Sequence, residues 1–242
     1  MIAAIQTIPY SNLALAFIPV IIVIGIVWKW KLVHLNYTYA VFRMLIQLLL
    51  IGFVLEYIFM AESSPIVILV LAVMLVSSSW IALGNIQIPR KRLILKIFAS
   101  ISIGGGFVLM LITQLVLNLD PWYLPNYMIP LAGMIFANSM NGISLAGERL
   151  ESEMSRGISY FEARNIALKA SLIPITNSLF AVGLVSLPGM MTGQILSGVS
   201  PFIAARYQIM VMCMIFGATG ITTAMFLYMV RREIGEKGEG MG

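Results

Sequence analysis

Seven long apolar runs dominate this 242-residue sequence, and each is close to the length needed to cross a lipid bilayer. A membrane-spanning helix needs roughly 20 mostly apolar residues, because about 30 Å of hydrocarbon is crossed at about 1.5 Å per residue. Charged residues make up only 10% of the chain, too few to cover a water-soluble globule. The runs lie at 11–28, 37–60, 65–84, 97–118, 126–146, 171–188 and 205–230. We therefore predict an all-α membrane protein with about seven transmembrane helices and one domain over residues 1–242.

The distribution of basic residues predicts how these helices are oriented. Lys and Arg in short connections stay in the cytoplasm far more readily than they cross the membrane. With seven spans, 13 of the 15 basic residues fall on one side: Lys29, Lys31, Arg90, Lys91, Arg92, Lys96, Arg149, Arg156, Arg164, Lys169, Arg231, Arg232 and Lys237. We therefore place the N-terminus outside and the C-terminus in the cytoplasm. The net charge of +5 then reflects these connections, and we expect no nucleic-acid partner.

Several kinds of chemistry are excluded by residue types. One cysteine, Cys213, and one histidine, His34, cannot form a disulfide framework or a Cys/His zinc site. The chain contains no Gly-x-x-x-x-Gly-Lys-Ser/Thr loop for ATP phosphates. The spans also lack paired Asp residues, a His cluster and a nucleophile motif, which disfavours an intramembrane enzyme. We expect a transport protein that binds no cofactor and whose metal ligands are unknown.

Residues 147–170 form the longest polar connection, on the predicted cytoplasmic side. Ser159 and Glu162 fit a capping box, so a helix is predicted to start near Tyr160 after a break at Gly157. Apolar residues recur here at helical spacing: Leu150, Met154, Ile158, Phe161 and Leu168. This stripe either packs on the membrane face of the protein or docks a cytosolic partner.

The region 183–205 differs from the other apolar segments because it is rich in Gly and Pro. Such a composition suits a broken helix or a re-entrant segment more than a regular span. The pair Gly189 and Gly193 has the spacing that permits close helix approach, which is a weak signal alone.

Three sequence blocks carry a family resemblance: 138–150, 186–201 and 206–212, supported by Arg43 and Gln47 in the second span. They closely resemble the Fet-type iron-export permeases of bacteria, a family that includes plant membrane subunits linked to aluminium tolerance. The resemblance implies the membrane-spanning half of an ATP-binding-cassette (ABC) exporter in the bacterial cytoplasmic membrane. ATP would then bind a separate cytosolic ATPase, and iron or a related metal species would move outward. Two copies would pair, since one chain supplies half the usual transmembrane set.

Two groups of residues follow as candidates for function. Polar groups within lipid are costly and mark either a transport path or interhelical hydrogen bonds, and both interpretations stay open here. Candidates for the path or its gate are Arg43, Gln47, Asn138, Asn141, Gly189, Met190, Met191 and Gln194. Candidates for ATPase coupling are Glu148, Arg149, Ile158, Phe161, Glu162 and Arg164. The leading alternative is an ion-coupled secondary transporter that uses Glu56 and Arg43 as a charge relay.

Overall fold

A computed structural model describes residues 8–32, 34–61, 63–86 and 90–238, and these ranges are almost entirely helical. Within them no strand forms beyond a single bridge between Val182 and Ser186, so the all-α prediction is confirmed. Six helical segments in these ranges are long and apolar enough to cross a membrane. They are Tyr10–Lys29, Leu35–Phe59, Ser64–Ala82, Lys91–Val116, Pro125–Ser155 and Pro201–Arg231.

The predicted span at 171–188 has no counterpart among these six segments. Its start lies within a helix that begins at Tyr160, and its predicted end at 188 is wrong because that helix ends at Ala181. The helix carries Glu162, Arg164 and Lys169 in its first half, which lowers its mean hydropathy. The number of seven spans and the orientation of the termini stay predictions.

The chain divides into two compact units. The first contains α1 (Tyr10–Leu15), α2 (Ile18–Lys29) and α3 (His34–Ala61), together with Leu196–Gly198. Within this unit α2 packs against α3. The prediction of one domain over the whole chain is untested by this division.

The second unit is a helical bundle built around a long central helix. Its helices are α4 (Ser64–Ala82), α5 (Arg90–Ser100), α6 (Gly106–Met110), α7 (Pro125–Ser155), α8 (Tyr160–Ala181), α9 (Gly189–Leu196, of which the last residue is counted with the first unit) and α10 (Pro201–Gly238). The central helix α7 packs against α4, α8 and α10, and its buried side chains form much of the core. A large buried apolar surface therefore fixes α7 among its neighbours.

Contacts along these helices give their relative directions. Met74 lies beside Gly133 and Ala82 beside Ser144, so α4 and α7 run parallel. In the same way α10 runs parallel to α7, because Gly142 contacts Thr219 and Gly147 lies near Phe226. Helix α8 runs antiparallel to α10, from Tyr160 beside Leu227 to Leu172 beside Gly220. The end of α4, the last turns of α7, the start of α8 and the region of Arg231 in α10 therefore share one end of this unit.

Helices α5 and α6 belong to one continuous helical segment with two wider π-helical turns, Ile101–Gly105 and Leu111–Val116. Two glycines in the first of these turns are buried against neighbouring helices. A Cβ atom at Gly104 would lie 3.0 Å from Thr222 Cγ2, and one at Gly105 would lie 3.0 Å from Ile135 Cγ2. The absence of side chains at these glycines therefore allows the segment to approach α10 and α7 closely.

Two predicted breaks in the helices are confirmed. Gly157 has a φ of 83° in the turn between α7 and α8, a left-handed conformation that favours glycine. In the region 183–205 the eight-residue helix α9 lies between turns and α10 begins at Pro201, so the chain is broken here as its Gly and Pro content predicts.

Candidate functional site

The connection between α7 and α8 is a structured element whose helix start was predicted correctly. Helix α8 begins at Tyr160, and the Ser159 hydroxyl oxygen accepts a hydrogen bond from the Glu162 backbone N–H at 3.4 Å. This contact satisfies one of the N–H groups that have no partner within the first turn of a helix. The path of the chain after Gly157 is therefore fixed locally.

Glu153 holds the turn before this helix from the inside. Its carboxylate is almost completely buried and lies 2.6 Å from an Arg149 guanidinium nitrogen and 3.7 Å from one of Arg156. Its backbone carbonyl accepts hydrogen bonds from the N–H groups of Arg156 and Ile158. Sequence reasoning missed Glu153, although its spacing of four and three residues from the two arginines is a recognisable signal. The side chains of Arg149 and Arg156 are 41% and 64% exposed, so water screens part of this attraction, and the contacts link the end of α7 to the turn that follows it.

Tyr160 connects the start of α8 to α10. Its hydroxyl donates a hydrogen bond to the Leu227 carbonyl, 67 positions away in sequence. Burial raises the pKa of the Tyr160 phenol, and the positive charges of Arg164 and Arg231 offset part of this effect. The phenol therefore stays protonated near neutral pH and remains a donor. The predicted helix start is thus also a contact between helices, which the sequence did not indicate.

Phe161 is the exposed member of the apolar stripe. Leu150 is buried in the core, and Met154, Ile158 and Leu168 pack against that core from its edge. The Phe161 ring is 54% exposed, in contrast to the rest of the stripe. Most of the stripe therefore stabilises the chain itself, and one aromatic ring is left on the surface.

Two arginines flank this ring. The guanidinium carbon of Arg231 lies 4.8 Å from the ring centroid of Phe161, and that of Arg164 lies 5.6 Å away. Both distances fall within the range of cation–π attraction. Four of the coupling candidates on this connection are charged. The side chains of Glu148 and Glu162 are exposed, and those of Arg149 and Arg164 are partly exposed. The structure therefore places an exposed aromatic ring between two positive charges, one from α8 and one from α10.

The candidate path residues lie on three different helices. Arg43 and Gln47 are four residues apart on α3, in the first unit, so they share a helix face. On α7, the Asn138 side-chain amide donates to the Met134 carbonyl at 2.8 Å, and Asn141 is exposed. Ser144 one turn further on donates to the Ala82 carbonyl at 2.7 Å and joins α7 to α4. Of the three polar residues Asn138, Asn141 and Ser144, Ser144 thus makes an interhelical hydrogen bond, and the Asn141 side chain is exposed.

The remaining path candidates lie on α9. A Cβ atom at Gly189 or Gly193 would meet nothing within 4 Å, so these glycines do not mediate a close helix approach in this structure. Met190 packs partly buried against the core, and Met191 is also partly buried. The side-chain oxygen of Gln194 is buried without a hydrogen-bond partner in the described part of the chain.

A further polar contact between α7 and α10 was missed by sequence reasoning. The hydroxyl groups of Ser139, Thr219 and Thr223 are buried and have no hydrogen-bond partner among the described residues. A Cβ atom at Gly142 would lie only 2.7 Å from Thr219 Cγ2 and from Thr223 Oγ1. The glycine therefore lets two helices with hydroxyl side chains approach very closely.

Residues that could hold a metal ion are sparse. Across the ranges that the structure describes, no group of three or more His, Cys, Asp or Glu side chains is placed for coordination.

These features define a polytopic α-helical membrane protein. One end of its second unit is structured and carries Arg149, Arg156, Arg164 and Arg231, and we call it the basic end. The chain belongs to the family described as "Uncharacterised protein family (UPF0014)", which matches residues 10–234. It is 34% identical to the "Probable iron export permease protein FetB" of Escherichia coli, over 92% of this chain and 91% of that protein. The resemblance to Fet-type permeases is therefore confirmed.

Two other relatives extend this family across organisms. The "UPF0014 membrane protein slr1647" of Synechocystis is 37% identical over 79% of this chain and 80% of its own length. The "Protein ALUMINUM SENSITIVE 3" of Arabidopsis thaliana is 33% identical over 79% of this chain and 74% of its own length. No solved structure matches the chain significantly. The apolar helices and the bacterial relatives identify a multi-pass protein of the bacterial inner membrane.

Proposed function

We propose that this chain is the membrane-spanning permease subunit of an ABC exporter that moves iron or a related metal species out of the cytoplasm. The proposal is supported by the relative that is named as an iron export permease. In it, ATP binds a separate cytosolic ATPase, and this chain catalyses no reaction of its own. The observation that carries the proposal is the exposed Phe161 ring between Arg164 and Arg231 on an otherwise well-anchored connection.

The chemistry of this connection suits a docking element. An exposed aromatic ring flanked by two arginines has the apolar centre and polar rim that protein interfaces commonly use. Phe161 would enter a cleft on the ATPase, and Glu148, Arg149, Glu162 and Arg164 would orient it. Ile158 would contribute indirectly. It packs against the core and so supports the turn that carries Phe161.

The anchoring of the connection suits the transmission of movement. Glu153 fixes the end of α7 through two arginines, and Tyr160 bonds the start of α8 to the Leu227 carbonyl of α10. A displacement of Phe161 would therefore move three helices rather than a loose loop. In our proposal, the part of the path or gate that responds in the second unit consists of Asn138, Asn141, Gly189, Met190, Met191 and Gln194. Arg43 and Gln47 stay proposed path residues of α3 in the first unit.

The subunit arrangement follows from the number of spans. One chain with six or seven spans supplies half of the usual transmembrane set of an ABC transporter, so we infer a homodimer that binds two ATPase subunits. The basic end of each chain would face the cytoplasm, as the positive-inside rule predicts.

Co-purification of the ATPase tests this proposal. The wild-type chain and the double variant Glu148→Lys with Phe161→Ala are expressed with the ABC ATPase encoded nearest to this gene. We expect the double variant to lose most of the bound ATPase while its membrane insertion is unchanged. Phe180→Ala is the matched control, because Phe180 is an exposed aromatic residue near the other end of α8 and lies outside the connection. Equal recovery of the ATPase with all three chains would contradict the docking role.

A further inference from the structure

A groove in the second unit lies between the segment that contains α6 and the start of α7. It has a volume of about 350 Å³. Its lining consists of Gly106, Leu109, Met110, Thr113, Gln114, Trp122 and Met128. Nothing in the proposed transport or docking roles uses these residues.

The local backbone explains why the groove exists. The π-helical turn Leu111–Val116 widens the helix directly after α6, and π turns of this kind often mark functional sites. Gly106 contributes no side chain, and a Cβ atom there would meet nothing within 4 Å. The groove is therefore space that a larger residue at position 106 would fill.

Most of the lining offers no polar group to a ligand. The Thr113 hydroxyl is fully buried and donates to the Leu109 carbonyl at 2.9 Å, so its proton is already used within the helix. Leu109 and Met128 are buried apolar side chains, and Met110 lies at the exposed mouth. Contact with hydrocarbon lowers the free energy of such an apolar surface relative to contact with water.

One end of the groove is polar. The Gln114 side-chain nitrogen donates to the Trp122 carbonyl at 3.3 Å and to the Thr113 hydroxyl oxygen at 3.2 Å. The helical segment ends just beyond Gln114, and the following connection contains Asp120 and Trp122. Trp side chains concentrate at membrane interfaces, so this end lies at the level of lipid headgroups. The groove therefore matches a molecule with one polar end and a long apolar chain.

The surroundings of the groove identify its occupant. The segment Lys91–Val116 is long and apolar enough to cross the membrane, and Phe107, Met110 and Leu115 are more than half exposed along it. In a bilayer, apolar side chains that this chain leaves uncovered are open to lipid tails, so lipids can reach the mouth of the groove. We propose that the groove binds one acyl chain of a phospholipid, with the lipid's polar end beside Gln114 and Trp122.

Photo-crosslinking in vesicles tests this site. The full-length chain is reconstituted in phosphatidylethanolamine and phosphatidylglycerol vesicles with a trace of phosphatidylethanolamine that carries a diazirine on its acyl chain. After illumination, labelled peptides are identified by mass spectrometry. We expect the wild-type chain to carry more label at Met110 and Met128 than at exposed side chains of α3, which serve as the level for general lipid contact.

Variants separate a specific site from general contact with lipid. Gly106→Leu fills part of the groove, so about two methylene groups of the acyl chain would no longer be buried there. We therefore expect about tenfold less label at Met110 and Met128. Gly217→Leu is the matched control, since Gly217 lies on another spanning helix and its Cβ position is also open. Met110→Trp narrows the mouth from its exposed side and is expected to reduce the label at Met128, even if Gly106→Leu does not insert.

Three results would overturn the lipid site. The first is equal label at Met128 in Gly106→Leu, Met110→Trp and the Gly217→Leu control. The second is a wild-type chain whose label at the groove does not exceed that of α3. The third is label at Met110 and Met128 that falls as the ratio of chain to lipid in the vesicles is raised, which would show that a second copy of the chain covers the groove in place of lipid. None of these depends on the ATPase, so the outcome is separate from that of the proposed transport function.

Discussion

The guanidinium carbon of Arg231 in α10 lies 4.8 Å from the ring centroid of Phe161 in α8. The two residues are far apart in sequence, and both belong to the basic end of the second unit. An exposed cation–π contact of this kind contributes about 0.5–1 kcal/mol. This contact links Phe161, which we propose to dock the ATPase, to α10, the helix that would respond to docking.

Arg231→Ala is therefore expected to weaken the coupling between ATP hydrolysis and transport while leaving the ATPase bound. The reason is that Phe161 stays in place for docking but loses one of its two flanking cations. The measurement is the ATPase rate of the purified complex in nanodiscs, with and without substrate metal. Arg206→Ala is the control, because Arg206 is an exposed arginine near the other end of α10. Normal stimulation in Arg231→Ala would show that this contact is not part of the coupling route.

Tyr160→Phe is expected to lower the free energy of unfolding by about 1 kcal/mol, because it removes the hydrogen bond to the Leu227 carbonyl. Thermal unfolding in detergent measures the effect. Tyr228→Phe is the control, since that tyrosine is 74% exposed on α10. A loss no larger than in Tyr228→Phe would mean that the contact does not stabilise the fold.

The pH dependence of this difference can also be predicted. Burial raises the pKa of the Tyr160 phenol, so the folded state favours the neutral form. The contribution of Tyr160 is then fully present below the unfolded pKa of about 10 and is lost as the pH rises through the higher folded pKa. The stability difference between the wild-type chain and Tyr160→Phe should be constant from neutral pH to about pH 9. A difference that disappears below that pH would contradict this assignment.

Gly142→Ala is expected to destabilise the protein by about 1–3 kcal/mol, the usual cost of overpacking a tight interior. The added methyl group would lie 2.7 Å from atoms of both Thr219 and Thr223. Gly217→Ala on α10 adds the same group where the Cβ position is open, so it serves as the control in the same unfolding assay. Equal stability of the two variants would show that α7 and α10 can separate at little cost.

Local features of the fold were predictable from the sequence, whereas contacts between distant segments were not. The helix start at Tyr160 and the break at Gly157 depend on neighbouring residues, so capping and turn rules predict both. That this helix continues from Tyr160 into the span predicted at 171–188 was missed, because hydropathy cannot register the small buried residues Ala163 and Ala167 on its packed face.

The same limit applies to the candidate site. Phe161 and the charged residues around it were predicted from helical spacing, which is a local property. Arg231, which contacts Phe161, and Leu227, which accepts the hydrogen bond from Tyr160, were not predicted, because a pattern within one helix does not specify which residue of another helix it meets. The buried carboxylate of Glu153 was missed because the segment looks uniformly charged and solvated in sequence.

Labelling of single cysteines tests the predicted orientation. In a Cys213→Ala background, cysteines replace Lys91, Ser155 or Trp122 one at a time, and intact cells are treated with an impermeant maleimide. We expect Trp122→Cys to react, and Lys91→Cys and Ser155→Cys to react only after the membrane is opened. These expectations follow from the basic residues that accumulate on one side. Reaction of Ser155→Cys in intact cells would contradict the predicted orientation and the docking role of the connection.

The central claim is that ATP hydrolysis on a partner drives a metal species outward through this chain. Its most direct test uses vesicles that contain the chain and its ATPase, with the ATPase on the outer face, so that export appears as uptake into the vesicle. The uptake of iron is measured beside that of a panel of other metals. We predict that iron accumulates inside only while ATP is hydrolysed, and that Glu148→Lys with Phe161→Ala abolishes the accumulation although insertion is normal. Accumulation that follows an imposed proton or sodium gradient without ATP would contradict the account and favour an ion-coupled transporter.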